Sequence, residues 1–272
     1  MNTQALSHIT GTIALAGAGK MGGAMLTGWL ARGLDAKRVV VIEPAPSPEI
    51  AALARQGVQF NPKAAGPIGT LVVAVKPQSF RDAGAMLKPL VAPSTLVVSI
   101  MAGTTIAALE EVCGGAVVRA MPNTPAAIGR GITVAVAADN VSAAQRTTAD
   151  ALLSATGSVE WVDDEDLMDA VTAVSGSGPA YIFLLAEELA RAGVAAGLPE
   201  ALATRLARET VAGSGELLHR SDAAAATLRQ NVTSPGGTTA AALDVLMGAD
   251  GLRELMIRAV AAATRRSKEL AK

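Results

Sequence analysis

The sequence predicts an α/β chain, with a doubly wound parallel sheet over residues 1–162 followed by an all-helical half over residues 163–272. Three observations carry this. The first half alternates short apolar runs with helical text. Those runs are continuous rather than alternating, which suits strands covered on both faces. After about residue 163 the strand-like runs stop, and Ala, Leu, Glu and Arg dominate.

In chain order, the strand runs are residues 12–16, ending at Gly17, and 39–42, ending at Glu43-Pro44. Next come 71–75, ending at Lys76-Pro77, and 96–100, ending near Gly103. The last two are 117–121, ending at Pro122, and 133–136, after Gly131. Helical stretches at 23–32, 48–56 and 104–112 lie between them, the order of βαβ units. In the second half Asp163-Asp164 is suited to cap helical text that runs to Ala173, and Ser175-Gly176-Ser177-Gly178-Pro179 interrupts it. A helix over 180–196 stops at Gly197, a natural C-terminal cap. Pro199 suits the first position of a helix running toward His219. Asp222, Thr238 and Asp250 are placed to cap three further helices, with a loop over 231–237. The boundary between halves falls within 159–164.

Composition narrows the function. Apolar residues are 50% and charged residues 17%, too apolar for a disordered chain. Lys and Arg number 23 against 24 Asp and Glu, so no basic surplus is available for a nucleic acid backbone. Aromatic residues at 2% supply no stacking platform for single strands. Cys113 is the single cysteine, which points to a reducing cytoplasm, and the two histidines, His8 and His219, make a His-rich metal centre unexpected. Apolar stretches break before the roughly 20 residues of a membrane span. The expectation is a soluble, cytoplasmic protein acting without metal, membrane or nucleic acid.

Gly17-Ala18-Gly19-Lys20-Met21-Gly22 is a G-x-G-x-x-G pattern between a strand and a helix. Gly17 permits the tight turn, Gly19 lets backbone N–H groups reach a pyrophosphate, and Gly22 lets helix and strand pack closely. The helix N-terminus adds partial positive charge. A plain βα turn uses glycines too, but the surrounding βαβ order favours a dinucleotide. Glu43 ends the second strand near the spacing of a ribose-binding acid; an exposed loop acid would look the same. Lys76 stands at a strand's carboxyl edge, where ligands bind in such sheets, although a solvated charge also suits that place. Met121-Pro122-Asn123-Thr124-Pro125 fixes a backbone that leaves Asn123 and Thr124 free for a cleft, or is a rigid connector. Ser175 to Pro179 and Thr233-Ser234-Pro235-Gly236-Gly237-Thr238-Thr239 each open a helix with small residues and free N–H groups, suited to a carboxylate. Asp222 either caps a helix or counters a cationic nitrogen. Cys113, beside Gly114-Gly115 after a helix, reads as a small structural residue. No G-x-S-x-G elbow or histidine triad pattern supports a hydrolase.

Taken together, Gly17-Ala18-Gly19-Lys20-Met21, Ala74-Val75-Lys76-Pro77, Met121 to Pro125, Ser175 to Tyr181 and Asn231 to Thr239 resemble pyrroline-5-carboxylate reductases. The resemblance implies an N-terminal Rossmann-type domain and a C-terminal helical domain that dimerises by interleaving helices, with decamers in some members. It implies reduction of 1-pyrroline-5-carboxylate to L-proline with NADPH or NADH. Cofactor contacts would come from Ala16, Gly17, Ala18, Gly19, Lys20, Met21, Glu43, Ala74, Val75, Lys76 and Pro77, with Met101 and Asn231 on the nicotinamide side. The substrate would be held by Asp222, Ser234, Gly236, Gly237, Thr238 and Thr239, and Thr239 would be the catalytic hydroxyl. Three positions depart from the family pattern. Glu43 stands where a small hydroxyl residue is common in NADPH-preferring members, which puts strict NADPH preference in doubt. Thr238 replaces a frequent alanine, and Ala64 stands where some members place an Asn on the adenine-side ribose. The β-hydroxyacid dehydrogenases share the two-domain plan, but their catalytic Lys is missing after Gly178, where Pro179-Ala180-Tyr181-Ile182 follows. A non-catalytic nucleotide sensor of the same fold would bind cofactor without turnover.

Overall fold

The computed structural model describes residues 6–62 and 66–270; Ala64 lies outside the described residues. Eight strands form one sheet: β1 Thr12–Ala16, β2 Val39–Ile42, β3 Gln59–Phe60, β4 Ile68–Val73, β5 Leu96–Ser99, β6 Ala116–Met121, β7 Gly131–Ala137 and β8 Gly157–Trp161. Their order is β3-β2-β1-β4-β5-β6-β7-β8. All neighbours are parallel except β6 and β7, which pair antiparallel with Met121 opposite Val134. The wholly parallel sheet expected from the sequence is corrected at this one pairing. The connection over residues 122–130 is shorter than the roughly dozen residues a parallel crossover needs.

The helices of this unit are α1 Lys20–Ala31, α2 Pro48–Ala51, α3 Phe80–Leu87, α4 Ile106–Val112, α5 Ala143–Leu153 and α6 Met168–Val171. Successive strand residues point to opposite faces, and both faces are covered. Ile13, Leu15, Val72, Val98 and Val118 pack under α1 and α5 with Met25, Trp29 and Leu152. Ala14, Leu71, Val73, Val97 and Val117 pack on the other side with Phe80, Leu87 and Leu109. This two-sided burial is why the strands read as unbroken apolar runs. The Trp29 indole N–H donates to the Leu152 carbonyl at 2.8 Å, so the largest side chain of α1 is also satisfied. Cys113 closes α4 and is buried, and burial pushes its thiol pKa up, Lys88 opposing.

The chain divides into two compact units, one reaching Gly176 and resuming at Thr264, the other spanning Ser177–Ala263. The break lies later than the 162/163 boundary read from the sequence. The reason is Met168: α6 buries it against Val134 and Val136 of β7, so the segment after Asp164 packs with the sheet. A π-helical turn, Thr172–Gly176, follows α6, where the sequence suggested an open loop.

The second unit is helical: α7 Gly178–Ala195, α8 Glu200–Arg220, α9 Ala225–Asn231, α10 Thr238–Leu246 and α11 Leu252–Leu270, whose last turns belong to the first unit. Gly197 ends α7 at φ +98, as a C-terminal cap requires. Several caps differ from the sequence reading. Pro199, Ala224 and Gly237 cap α8, α9 and α10, so Pro199 precedes the first turn, Asp222 caps nothing, and Thr238 is the first helical residue. Asp164 does cap, accepting from the Asp166 N–H. α7 and α8 meet through small residues, with Ala203 and Ala207 buried. Ile182, Phe183, Leu185, Leu206, Leu217 and Ile257 stay exposed on the single chain. No helix among the described residues is long and apolar enough to cross a membrane.

Candidate functional site

Strand order reverses between β1 and β4, and at such switch points open α/β sheets bind ligands. The glycine-rich turn sits there. The Gly17 N–H donates to the Ile42 carbonyl at 2.9 Å, and the Ala74 N–H donates to the Ala16 carbonyl at 2.7 Å. Ala16, Gly17 and Ala74 are therefore laced together at the carboxyl ends of three strands. Gly17 has φ +89, and a Cβ there would stand 2.6 Å from the Ala74 carbonyl oxygen. A Cβ on Gly22 would collide with the Gly17 carbonyl oxygen and lie 3.2 Å from Ala74 Cβ. A Cβ on Gly19 would meet no protein atom within 4 Å. The three glycines thus differ in geometry: a left-handed turn at Gly17, an open side at Gly19 and close packing at Gly22. Gly19 caps α1 without a side chain, so the first N–H groups of a 12-residue helix face that open side. A phosphate fits this cradle, where an added Cβ would fill the space the glycine leaves.

A cleft of about 720 Å³ opens from the cradle, lined in part by Ala18, Gly19, Lys20, Glu43, Ser47 and Glu49. Glu43 is fixed there by backbone donors. Its Oε2 accepts from the Ala18 N–H at 2.9 Å and its Oε1 from the Ala45 N–H at 3.1 Å. Ser47 caps α2, its hydroxyl accepting from the Ile50 N–H at 3.4 Å. The Glu49 carboxyl, in the first turn of α2, is held below its ordinary pKa by its own backbone N–H and then by Ser47.

Other predicted residues are placed differently. Met21 is half-buried against the α1 core, and Val75 packs in the opposite cluster. Lys76 is exposed and precedes the turn Pro77–Ser79. Met101 is buried just past β5, its N–H donating to the Ser99 hydroxyl at 3.3 Å. Asn123 is not free for a cleft: its Oδ1 accepts from the Ile132 N–H at 3.0 Å and braces the β6–β7 connection.

In the helical unit, Pro235-Gly236 form the centre of a turn closed by the Gly237 N–H donating to the Ser234 carbonyl at 3.0 Å. Gly236 has φ +67, which this Pro-Gly turn requires. Gly237 then caps α10 with no side-chain acceptor, so the N–H groups of Thr238 and Thr239 open the helix. Ser234, Gly236 and Thr238 are exposed, and Thr239 and Gly237 half-buried. Asn231 ends α9, and Asp222 is exposed between α8 and α9. At the other small-residue segment, the Ser175 hydroxyl donates to the Val171 carbonyl at 3.0 Å.

Two features escaped the sequence reading. Asn61 has φ +44 and pairs with the Glu43 backbone twice, its Oδ1 accepting from the Glu43 N–H at 2.9 Å and its Nδ2 donating to the Glu43 carbonyl at 2.8 Å. An Asn before Pro62 was the available signal, since Asn tolerates this backbone. Arg119, 4% exposed, forms an ion pair with Glu165 at 2.7 Å, and the same carboxylate oxygen accepts from the Ile106 N–H at 2.8 Å. That pairing joins β6, α4 and the segment after Asp164, and no local spacing announces it.

Comparison with known proteins gives one direction. Residues 165–270 match a domain family described as pyrroline-5-carboxylate reductase dimerisation, and residues 12–103 match NADP oxidoreductase coenzyme F420-dependent. A pyrroline-5-carboxylate reductase of Pseudomonas aeruginosa is 42% identical over 96% of this chain and 97% of that protein. One of Pisum sativum is 37% identical over 95% of this chain and 96% of that protein. Among solved structures, the Coxiella burnetii pyrroline-5-carboxylate reductase superposes with TM-score 0.89 at 36% identity, covering 97% of this chain and all of that one. The Plasmodium falciparum pyrroline carboxylate reductase with NADP bound gives TM-score 0.79 at 29% identity, covering 96% and 98%.

Proposed function

The chain belongs to the pyrroline-5-carboxylate reductase family, and from that premise we infer that it reduces 1-pyrroline-5-carboxylate to L-proline with NAD(P)H. The observation that carries this reading is the cradle at Gly19, open on its outer side and backed by two glycines that admit no Cβ. Bound there, the nicotinamide cofactor supplies the hydride.

The chain's own task is holding and orienting. The first N–H groups of α1 and the Gly17 turn hold the pyrophosphate, with Lys20 beside it and Glu43 on the adenosine ribose. Ala74, Val75, Lys76 and Pro77 also hold the cofactor in this reading, with Met101 and Asn231 on its nicotinamide side. Reduction of a cyclic imine needs the ring carboxylate fixed and the imine nitrogen protonated. The opening of α10, at Gly237, Thr238 and Thr239, offers N–H groups for the carboxylate, and Ser234 and Gly236 shape that turn. We assign the Thr239 hydroxyl to a hydrogen bond at the ring nitrogen. A hydroxyl is a poor acid at neutral pH, so its role is positioning or relay rather than generating the proton. Asp222 supplies negative charge near a cationic nitrogen. Orientation is then the main catalytic effect.

Self-association through the helical unit is supported by the dimerisation-domain match and by the apolar residues left exposed on α7, α8 and α11. Interleaved dimers, their assembly into decamers and a cytoplasmic setting complete the reading, as does a functional division near 162/163, close to where the dimerisation match begins. The test is NAD(P)H oxidation by the purified chain on addition of 1-pyrroline-5-carboxylate. Proline formation stoichiometric with oxidation is expected; cofactor binding without turnover would favour a nucleotide sensor instead.

A further inference from the structure

We propose that this chain takes NADH in preference to NADPH, with Glu43 as the discriminating residue and Asn61 as the residue that positions it. The inference rests on the cofactor reading above and concerns which of the two dinucleotides the cleft accepts. It runs against the NADP named for the Plasmodium falciparum relative and for the domain family matched at 12–103.

The argument starts from the carboxylate's partners. Both Glu43 oxygens are engaged by backbone donors, Ala18 at one side of the cleft and Ala45 at the other. Each carboxylate oxygen retains a second lone-pair direction, and these suit the two hydroxyl donors of an unmodified ribose. A 2′-phosphate reverses the chemistry: it brings no donor when ionised and adds close to two negative charges at neutral pH. The side chain cannot swing aside without abandoning two N–H groups.

Among the described residues, the surroundings add little compensation. After Glu43 come Pro44, Ala45, Pro46 and Ser47, with neither a cation nor an amide side chain among them. Ser47 accepts from the Ile50 N–H as the cap of α2, and its hydroxyl proton is a single neutral donor that brings no positive charge. Of the described charged residues lining the cleft, Glu43 and Glu49 are anions and Lys20 is a cation. Lys20 opens α1 beside Gly19, where the pyrophosphate common to both dinucleotides is read, so it attracts either one.

Asn61 explains why the carboxylate stays put. Its side chain brackets the Glu43 peptide on both sides, and it does so from φ +44, a conformation most side chains avoid. Backbone strain of this kind persists where surrounding contacts over-determine it. Here it locks the residue that follows β2 at the rim of the cleft.

The experiment is calorimetric titration of the full-length protein with NAD⁺ and, separately, with NADP⁺, followed by kcat/KM for NADH and NADPH. NAD⁺ is expected to bind more tightly by at least about tenfold. Glu43→Ser should cut that ratio by about tenfold or more, chiefly through a gain in NADP⁺ affinity. Asn61→Gly keeps the backbone conformation accessible but removes the clamp, and it should lower the ratio in the same direction while thermal unfolding stays close to the parent. A role confined to folding would weaken both dinucleotides alike and leave the ratio fixed, which would overturn the assignment of Asn61. NADP⁺ bound as tightly as NAD⁺ by the parent, or a ratio indifferent to Glu43→Ser, would overturn the proposal while leaving the reductase reading intact. Failure to bind either dinucleotide would remove the cofactor reading, and this inference with it.

Discussion

One added methyl group, placed at Gly19 or at Gly22, should separate ligand binding from folding. At Gly19 the backbone is extended, with φ −67 and ψ −160, a region alanine adopts freely. The new Cβ would meet no protein atom within 4 Å. Gly→Ala at a compatible position stabilises by about 0.4–1 kcal/mol through the unfolded chain. Alanine is a poorer helix cap than glycine by a similar amount, about 0.5–1 kcal/mol. The two effects cancel, so Tm should stay within about 2 °C of the parent. Dinucleotide affinity should nevertheless fall at least about tenfold, because the methyl group stands in the phosphate's path. Gly22→Ala is the converse. Its Cβ collides with the Gly17 carbonyl oxygen and crowds Ala74 Cβ at 3.2 Å, so α1 must shift away from the turn. Overpacking of this kind costs about 1–3 kcal/mol, or about 2–12 °C in Tm for a chain of this size. Thermal unfolding and calorimetric titration of both variants are the assays. Full dinucleotide affinity in Gly19→Ala, or an unchanged Tm in Gly22→Ala, would refute the reasoning.

Further outcomes follow from the same structure. Glu165→Ala strands the buried Arg119 guanidinium and the Ile106 N–H, and it should lower unfolding free energy by about 2–3 kcal/mol in denaturant titration; an unmoved midpoint would dismiss that link. Thr239→Val should reduce kcat by about tenfold to a hundredfold with dinucleotide affinity unchanged, and undiminished turnover would reject the hydroxyl's role. The Cys113 thiol has a folded pKa raised by burial from its ordinary value near 9.0. Its contribution to stability is therefore complete below that ordinary value and lost as pH climbs through the raised one. As pH rises above about 9.0 the parent should lose stability more steeply than Cys113→Ala, and parallel curves would contradict this.

The sheet was legible in the sequence because its strands are covered twice. Residues such as Val97 and Val98 feed opposite cores, and the text between turns is therefore apolar without interruption. β8 shows the contrary case, alternating exposed with half-buried residues over Gly157–Trp161, and it gave no such run. α5 was hidden by its polar text, yet Ser142 and Gln145 carry a capping box that marks its start. The antiparallel sense of β7 follows from the short connection before it, a constraint on chain reach rather than on residue type. At the site, the glycines were legible because their roles are local. Asn61 and the Arg119–Glu165 pair were not, since each depends on partners distant in sequence: 18 residues for Asn61 and Glu43, 46 for Arg119 and Glu165.

The last turns of α11 return to the sheet unit, where the Ser267 hydroxyl donates to the Asp169 carboxylate at 2.6 Å and Leu270 lies against Gly103. Topologically, the helical unit is thus an insertion bracketed by two junctions rather than an appendage joined at one. A chimera made by a single crossover near residue 177 would import a foreign carboxyl-terminal turn onto a resident Asp169. Grafting the helical unit between relatives therefore calls for a double exchange, with residues 264–270 kept from the same parent as the sheet.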